Sequence, residues 1–371
     1  MASKGMLTAM EKCCVWVLMV CGLLPFRLNA SENRFVLSTA HYWGNMAGTV
    51  VYAFTAPWLF WVPVSRVVHP STPLNYYMMV IQFLFMYIVV IMSRVKAVAN
   101  REKLRQLLNA LLALREQTLQ GSPDASFAPT LVRKLFVKLI VFDLGMLLLC
   151  ASFFRTFLDL KLSLFYSFMG FLNLLQVSSM NVAINFLLFV LYNAINIYTL
   201  INARCKDLVY GSKATKETVR LYLMHTETTL IVQSIVEVVS MPILLLSIFY
   251  FFIIVFSIFY TYTSVVQDLQ TGSLNALRNV INPISFFISE VAQVYFLVSA
   301  SAMFTGYAQK IISCVSLYTG RISDGPADQA VLSSDERKRK KKNKQTNKQT
   351  NNFPTLNNVC SIYFTDRIAY Y

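Results

Sequence analysis

The residues able to do chemistry in this chain are few, and they stand in apolar surroundings. Between Phe165 and Leu191 an otherwise aliphatic and aromatic run carries Asn173, Gln176, Ser178, Ser179, Asn181 and Asn185. A second run, Ile284–Ala308, holds Ser285, Ser289, Glu290, Gln293 and Tyr295, and a third holds Asp143 near one end. Burying such groups in hydrocarbon is costly, so they must face protein or water. At helical spacing Asn173 and Gln176 share a face with Met180, while Asn181 and Asn185 lie one turn apart. Two readings follow. One is a polar, partly aromatic cavity between helices that takes a small organic ligand, with Asn173, Gln176, Glu290, Gln293 and Tyr295 as the candidate binding residues. The other is interhelical hydrogen bonding that only fixes packing, which is common in membrane bundles and is the plainer account of the asparagines and serines. Glu290 resists that account. A carboxyl facing lipid is expensive, so it is expected to border water or to pair with a donor such as Arg278 or Tyr295.

Enzyme chemistry finds no support. The three histidines, His41, His69 and His225, form no His-Glu-x-x-His pair and have no nucleophile motif beside them. No glycine-rich loop is built to cradle a phosphate, and no cofactor or metal site is expected. The seven cysteines are scattered, without a Cys-x-x-Cys pair, and no structural disulfide is expected.

The elements that must position these groups are transmembrane helices. A mean hydropathy of +0.52 with 56% hydrophobic residues belongs to a membrane protein. About 20 apolar residues, rising 1.5 Å each, cover a hydrocarbon core of ~30 Å. Six runs reach that length: Ala40–Val62, Pro73–Met92, Leu139–Phe154, Phe165–Leu191, Met241–Tyr260 and Ile284–Ala308. The third does so only by borrowing Leu135–Lys138. Lys and Arg number 4, 9, 5 and 11 in the segments on one side, against 1, 2 and 1 in the loops on the other. The positive-inside rule then places both termini in the cytoplasm. The net charge of +15 is accounted for by loops facing anionic lipid and one polybasic tail, so membrane lipids are expected partners and nucleic acid is not. The expected fold is an all-α polytopic membrane protein with six predicted transmembrane helices and long cytoplasmic helical extensions. Residues 1–39 read as a cytoplasmic amino-terminal segment, 40–308 as the six-span transmembrane body and 309–371 as a polar, polybasic, low-complexity tail.

Several segments add detail. Cys13–Phe26 is short for a span and has Leu28 where a signal peptidase prefers a small residue. It reads as a helix lying along the inner leaflet or packed on the bundle, ended by Pro25. Gly44 and Gly48 form a small-x-x-x-small pair that lets another helix approach. In 93–138, Leu104, Leu107, Leu108, Leu111, Leu112 and Leu114 recur near helical spacing among basic residues. The second span would continue as an amphipathic helix whose stripe packs on neighbours or lies on the lipid surface. Residues 192–240 repeat this design, with Gly211-Ser212 as a break. Residues 335–351 are low complexity, with the basic cluster Arg337–Lys342, and suit an anionic lipid surface or an alternative final exon.

Gly22-x-x-Pro25-Phe26 before the first span, the two helical cytoplasmic loops, and the block Leu221–Tyr260 running through Pro242 and Leu244 resemble the insect gustatory receptors. The resemblance covers about residues 10–318. It implies a seven-helix, tetrameric, ligand-gated cation channel of the plasma membrane, homo- or heteromeric, with a small-molecule tastant bound among its first six helices. It also implies a seventh, pore-lining helix bearing Thr-Tyr, about five apolar residues, then Gln-Phe. This chain shows no such motif after Thr319, so the resemblance implies truncation before the pore helix. The expected function is a chemosensory receptor subunit, or alternatively a non-conducting isoform that assembles with complete relatives. A secondary transporter would need an inverted internal repeat, and none is found. An epitope placed after Tyr371 should be reached by antibody only after permeabilisation; labelling of intact cells would refute this topology.

Overall fold

The computed structural model describes residues 2–29, 32–62, 73–120, 129–149, 151, 164–209, 215–271 and 276–322. Helix α1 covers Ala2–Val20, and a short antiparallel hairpin follows, β1 Arg27–Asn29 paired with β2 Arg34–Val36. Then come α2 Thr39–Val62, α3 Pro73–Ala99, α4 Arg101–Gln120 and α5 Pro129–Phe136. Helix α5 runs directly into a π-helical segment, Val137–Asp143, and on as α-helix over 144–149. Three long helices complete the chain: α6 Leu164–Val209, α7 Thr215–Thr271 and α8 Ala276–Ile322. The chain divides into two compact units, residues 1–201 with 224–308, and residues 202–223 with 309–371. In the second, Cys205 and Leu221 are buried, and Arg220 lies 3.7 Å from Glu217 one turn away.

The chain is an all-α membrane protein apart from the hairpin. Among the described residues, four stretches are long and apolar enough to cross a membrane: Tyr76–Ala99, Leu175–Cys205, Glu217–Thr263 and Ile284–Ser313. They contain most of the second, fourth, fifth and sixth expected spans. The first expected span is helical as α2; the third is helical as far as it is described, with residues 150 and 152–154 outside. The long helices outrun a bilayer. At 46, 57 and 47 residues, α6, α7 and α8 would each extend roughly 70 Å or more, against a core of ~30 Å. Helix α8 passes Ala308 and continues to Ile322, so the stretch assigned to the start of the polar tail is helical. Apolar residues such as Ile311, which is fully buried, carry it forward. Gly211-Ser212 lies outside the described residues.

Helix α4 settles the fate of the leucine stripe. Only Asn100 separates it from α3, and Leu104, Leu108, Leu111, Leu112 and Leu114 are buried. The stripe packs on protein, not on a lipid surface. A flank of α4 beside that stripe holds the hairpin, which the residue pattern did not announce. Asn109 donates from Nδ2 to the Phe35 carbonyl at 2.8 Å and accepts the Phe35 N–H on Oδ1 at 2.7 Å. One amide thus satisfies both backbone groups of a strand residue as a third strand would. The Phe35 ring closes edge-on against Phe26 at 5.3 Å.

Helix α1 packs on the bundle, and the turn after it explains the Gly22-x-x-Pro25-Phe26 pattern. Gly22 has φ +76°, in the left-handed region where side chains are disfavoured. A Cβ there would come within 2.6 Å of Asn45 Oδ1 and 3.1 Å of the Arg94 guanidinium carbon. Asn45 of α2 donates to the Leu24 carbonyl, and Arg94 of α3 donates to the Cys21 carbonyl at 2.7 Å. The glycine therefore lets two helices clamp the turn. Gly44 and Gly48 are not the expected close helix contact: a Cβ at Gly44 meets nothing within 4 Å, and at Gly48 only the tip of Arg94 at 3.3 Å. Gly22→Val should lower folded-state stability by at least about 1–2 kcal/mol from the backbone alone, read as a fall in melting temperature in detergent. Gly44→Ala should leave that temperature unchanged.

Candidate functional site

The polar groups that the spans cannot expose to lipid gather in one buried cluster. Its centre is Asp143, at the end of the π-helical segment. Asp143 Oδ1 accepts from Lys138 Nζ and, at 3.2 Å, from Gln293 Nε2 of α8; Oδ2 accepts from Asn185 Nδ2 of α6 at 2.7 Å. Lys138 has no exposed surface. The π geometry makes the pair possible. In an α-helix residues five apart point about 140° away from each other, whereas the wider π turn, closed by i→i+5 bonds, brings them towards one face.

Around this pair the bundle adds further polar groups. Glu290, one turn from Gln293 on α8, is buried and close enough to Lys138 to interact with it electrostatically. Tyr250 of α7 donates to Asn181 Oδ1 of α6 at 3.4 Å, one turn from Asn185. Contacts of α5 with α8 run antiparallel, since Lys134 bonds Ser299 at 2.6 Å while Asp143 meets Gln293. Phe142 packs edge-on against Phe296 between them.

Helix α1 closes the cluster from below. The Cys14 thiol donates to the Asn185 carbonyl at 3.7 Å, and burial pushes that thiol up to about 12, so it stays protonated and inert. Two turns of α6 further on, Arg115 of α4 binds both Glu11 carboxylate oxygens, at 2.8 and 3.0 Å, and Asn193 Oδ1 at 2.6 Å. Cys13, Cys14, Cys21 and Cys205 are free thiols.

The amide nitrogens of Asn185 and Gln293 are spent on Asp143. Their oxygens, Asn185 Oδ1 and Gln293 Oε1, find no donor among the described residues, and neither does Glu290 Oε2. Most of the unpartnered groups here are thus acceptors, with the buried Ser289 hydroxyl, one turn from Gln293, the one unpartnered donor beside them among the described residues. Acceptors without donors suit binding of a group that donates, not bond-making on a nucleophile. Among the described residues no three His, Cys, Asp or Glu side chains come together to hold a metal ion.

Of the residues proposed from sequence, Glu290 and Gln293 join this cluster. Gln176 is buried on α6, but nine residues, roughly 13 Å of rise, separate it from Asn185. The Asn173 side chain lies outside those described. Tyr295 is 59% exposed and packs edge-on against Phe296, so it sits away from the cluster. The expected partner of Glu290 is corrected accordingly. Tyr295 faces away, the Arg278 side chain is outside those described, and Lys138 is the cation that acts on the carboxyl. Sequence reasoning placed Lys138 only at the edge of a span and missed its role. Its one signal was position, a lysine between Leu135 and Leu139. A separate cavity of about 50 Å³, lined by apolar groups such as Leu23, Leu104, Phe186 and Leu246, is too small for an organic ligand.

Residues 11–319 match the family described as 7tm Chemosensory receptor. The chain belongs to that family. No curated protein matches it. Membership makes this a chemosensory receptor and not an enzyme, and it fits the binding of small molecules within a multi-pass membrane bundle. Asp143→Ala would leave the Lys138 ammonium buried and unpaired, and should cost the receptor about 3–5 kcal/mol of stability. Lys138→Met combined with Asp143→Asn should recover most of that, as read by thermal unfolding in detergent.

Proposed function

We propose that this receptor is a gustatory subunit of the plasma membrane, with both termini cytoplasmic, that binds a small tastant through hydrogen-bond donors on the ligand. The observation that carries this reading is the set of buried acceptors Asn185 Oδ1, Glu290 Oε2 and Gln293 Oε1, lying in a family of chemosensory receptors. Gln176 and Asn173 lie earlier on α6 and would extend the site away from Asp143. A tastant with greater affinity for an expanded bundle shifts the population toward it. In a homo- or heterotetramer with related subunits, that shift would open a cation path.

The alternative is a non-conducting subunit that assembles with related receptors and senses nothing. Whole-cell recording separates the two. Co-expressed with a complete relative, the wild-type chain should confer a tastant-evoked cation current, and Glu290→Ala with Gln293→Ala should abolish it or shift its half-maximal dose at least tenfold. Tyr295→Ala should leave the dose response unchanged. An unaltered response in the Glu290/Gln293 double variant would remove the site from this cluster.

A further inference from the structure

A second polar junction lies outside the acceptor cluster, where α6, α7 and α8 come together. His225 of α7 is buried, and its ring stacks on that of Tyr198 of α6 at 5.1 Å and 28°. The Tyr198 hydroxyl shares a 2.6 Å hydrogen bond with Thr229, one turn along α7, and its ring packs against Phe304 of α8 at 5.3 Å. The imidazole donates to the Ala308 carbonyl, one turn after Phe304. One side chain thus engages both neighbouring helices, through a ring face on one and an N–H on the other. Ile197, Thr228 and Ala300, each within a turn of these contacts, are almost fully buried.

This junction lies beyond the hydrocarbon core. His225 precedes the expected span Met241–Tyr260 by 16 residues, roughly 24 Å of rise. On α8, Ser299 is already level with Lys134, which stands ahead of the third expected span. Because α5 and α8 run antiparallel, Phe304 and Ala308 lie further out still. Tyr198 is the titratable group that faces the imidazole from α6, and a phenol stays neutral near pH 7. Glu227, two residues on along α7, is exposed, and neither it nor Tyr307 of α8 acts on the ring. Burial pushes the His225 imidazole below its usual 6.5, against the opposing pull of the Ala308 bond.

We propose that His225 is an acid-sensitive fastening of this junction, holding α6 and α8 to α7 as a neutral imidazole and releasing them once it takes up a proton. The protonated ring carries a charge and a second N–H, and burying a charge without a counter-ion is unfavourable. The Tyr198 face attracts a cation, but it supplies no lone pair for that N–H. Parting the helices and admitting water relieves both costs. Above the unfolded value, near 6.5, neither state holds the proton and the fastening is complete. As pH falls below that value the opened state is protonated first, so stability is lost down through the folded value. The fastening acts on the helices that carry Asn185 and Gln293, yet it shares no residue with the acceptor cluster and stands whether or not a tastant binds there.

The test uses the full chain in detergent. Its melting temperature should be level above about pH 7 and fall by about 2–4 °C between about pH 6.5 and about pH 5.5. His225→Phe keeps the ring stack and cannot titrate, and should remove at least half of that fall. Amide exchange, corrected for its intrinsic rate, should show protection over 194–201 and 300–308 dropping several-fold in acid in the wild-type chain and not in His225→Phe. A direct titration guards against a variant that fails to fold. The sequence has three histidines, so ring-labelled NMR with His41→Gln and His69→Gln assigns the remaining resonance to His225, which should titrate below 6.5. Titration at or above that value, or persistence of more than half of the acid-induced loss in His225→Phe, would overturn the proposal.

Discussion

A lysine with no exposed surface governs the polar core of this receptor. Lys138 must stay charged next to a carboxylate or lose its proton, and either choice constrains what surrounds it. Asp143 supplies the carboxylate, but only because the backbone departs from α geometry between Val137 and Asp143. Once the pair is made, the remaining lone pairs of Asp143 need donors, and the amides of Asn185 and Gln293 provide them from two other helices. Three helices are thereby registered on one carboxylate. The amide oxygens and Glu290 are what remains unsatisfied, and that remainder is the candidate ligand surface.

The amino-terminal segment belongs to the same design. Helix α1 does not merely lie beside the bundle; it is fastened at three heights. Glu11 binds Arg115, Cys14 reaches the Asn185 carbonyl, and the Cys21–Leu24 turn is held by Arg94 and Asn45. The middle fastening joins α1 to the residue that positions Asp143, so a disturbance of α1 and a disturbance of the polar core would be felt in one another. Arg115 also bonds Asn193, which lies two turns along α6 from Asn185. The segment before the first span thus packs in the same compact unit as α2, α3 and α4.

Much was legible in the residues themselves. Apolar run length and composition gave the membrane class and most of the helices, because burial in hydrocarbon imposes a minimum length and few charges. Periodicity gave α4, since its leucines recur on one face. The groups worth watching, Asp143, Asn185, Glu290 and Gln293, were visible as polar residues in apolar runs. Other placements were not legible, for identifiable reasons. Type alone picked out Tyr295, but the rotation of its helix, which leaves that side chain 59% exposed, is not written in its neighbours. Gly44 looked like a packing contact by spacing, yet open space lies beside it. The hairpin was missed because its strands are three residues long and depend on Asn109, 74 positions away from Phe35.

The sequence by itself determined that this chain crosses a membrane as helices and which polar groups would be costly there, because both follow from local composition. Tertiary structure alone decided which of those groups meet. Lys138 and Asp143 would diverge on an ordinary helix, and no spacing rule brings Gln293 to a carboxylate 150 positions earlier. Such contacts depend on helix rotation and register, which arise from the packing of all the helices together and are written in no single stretch of residues.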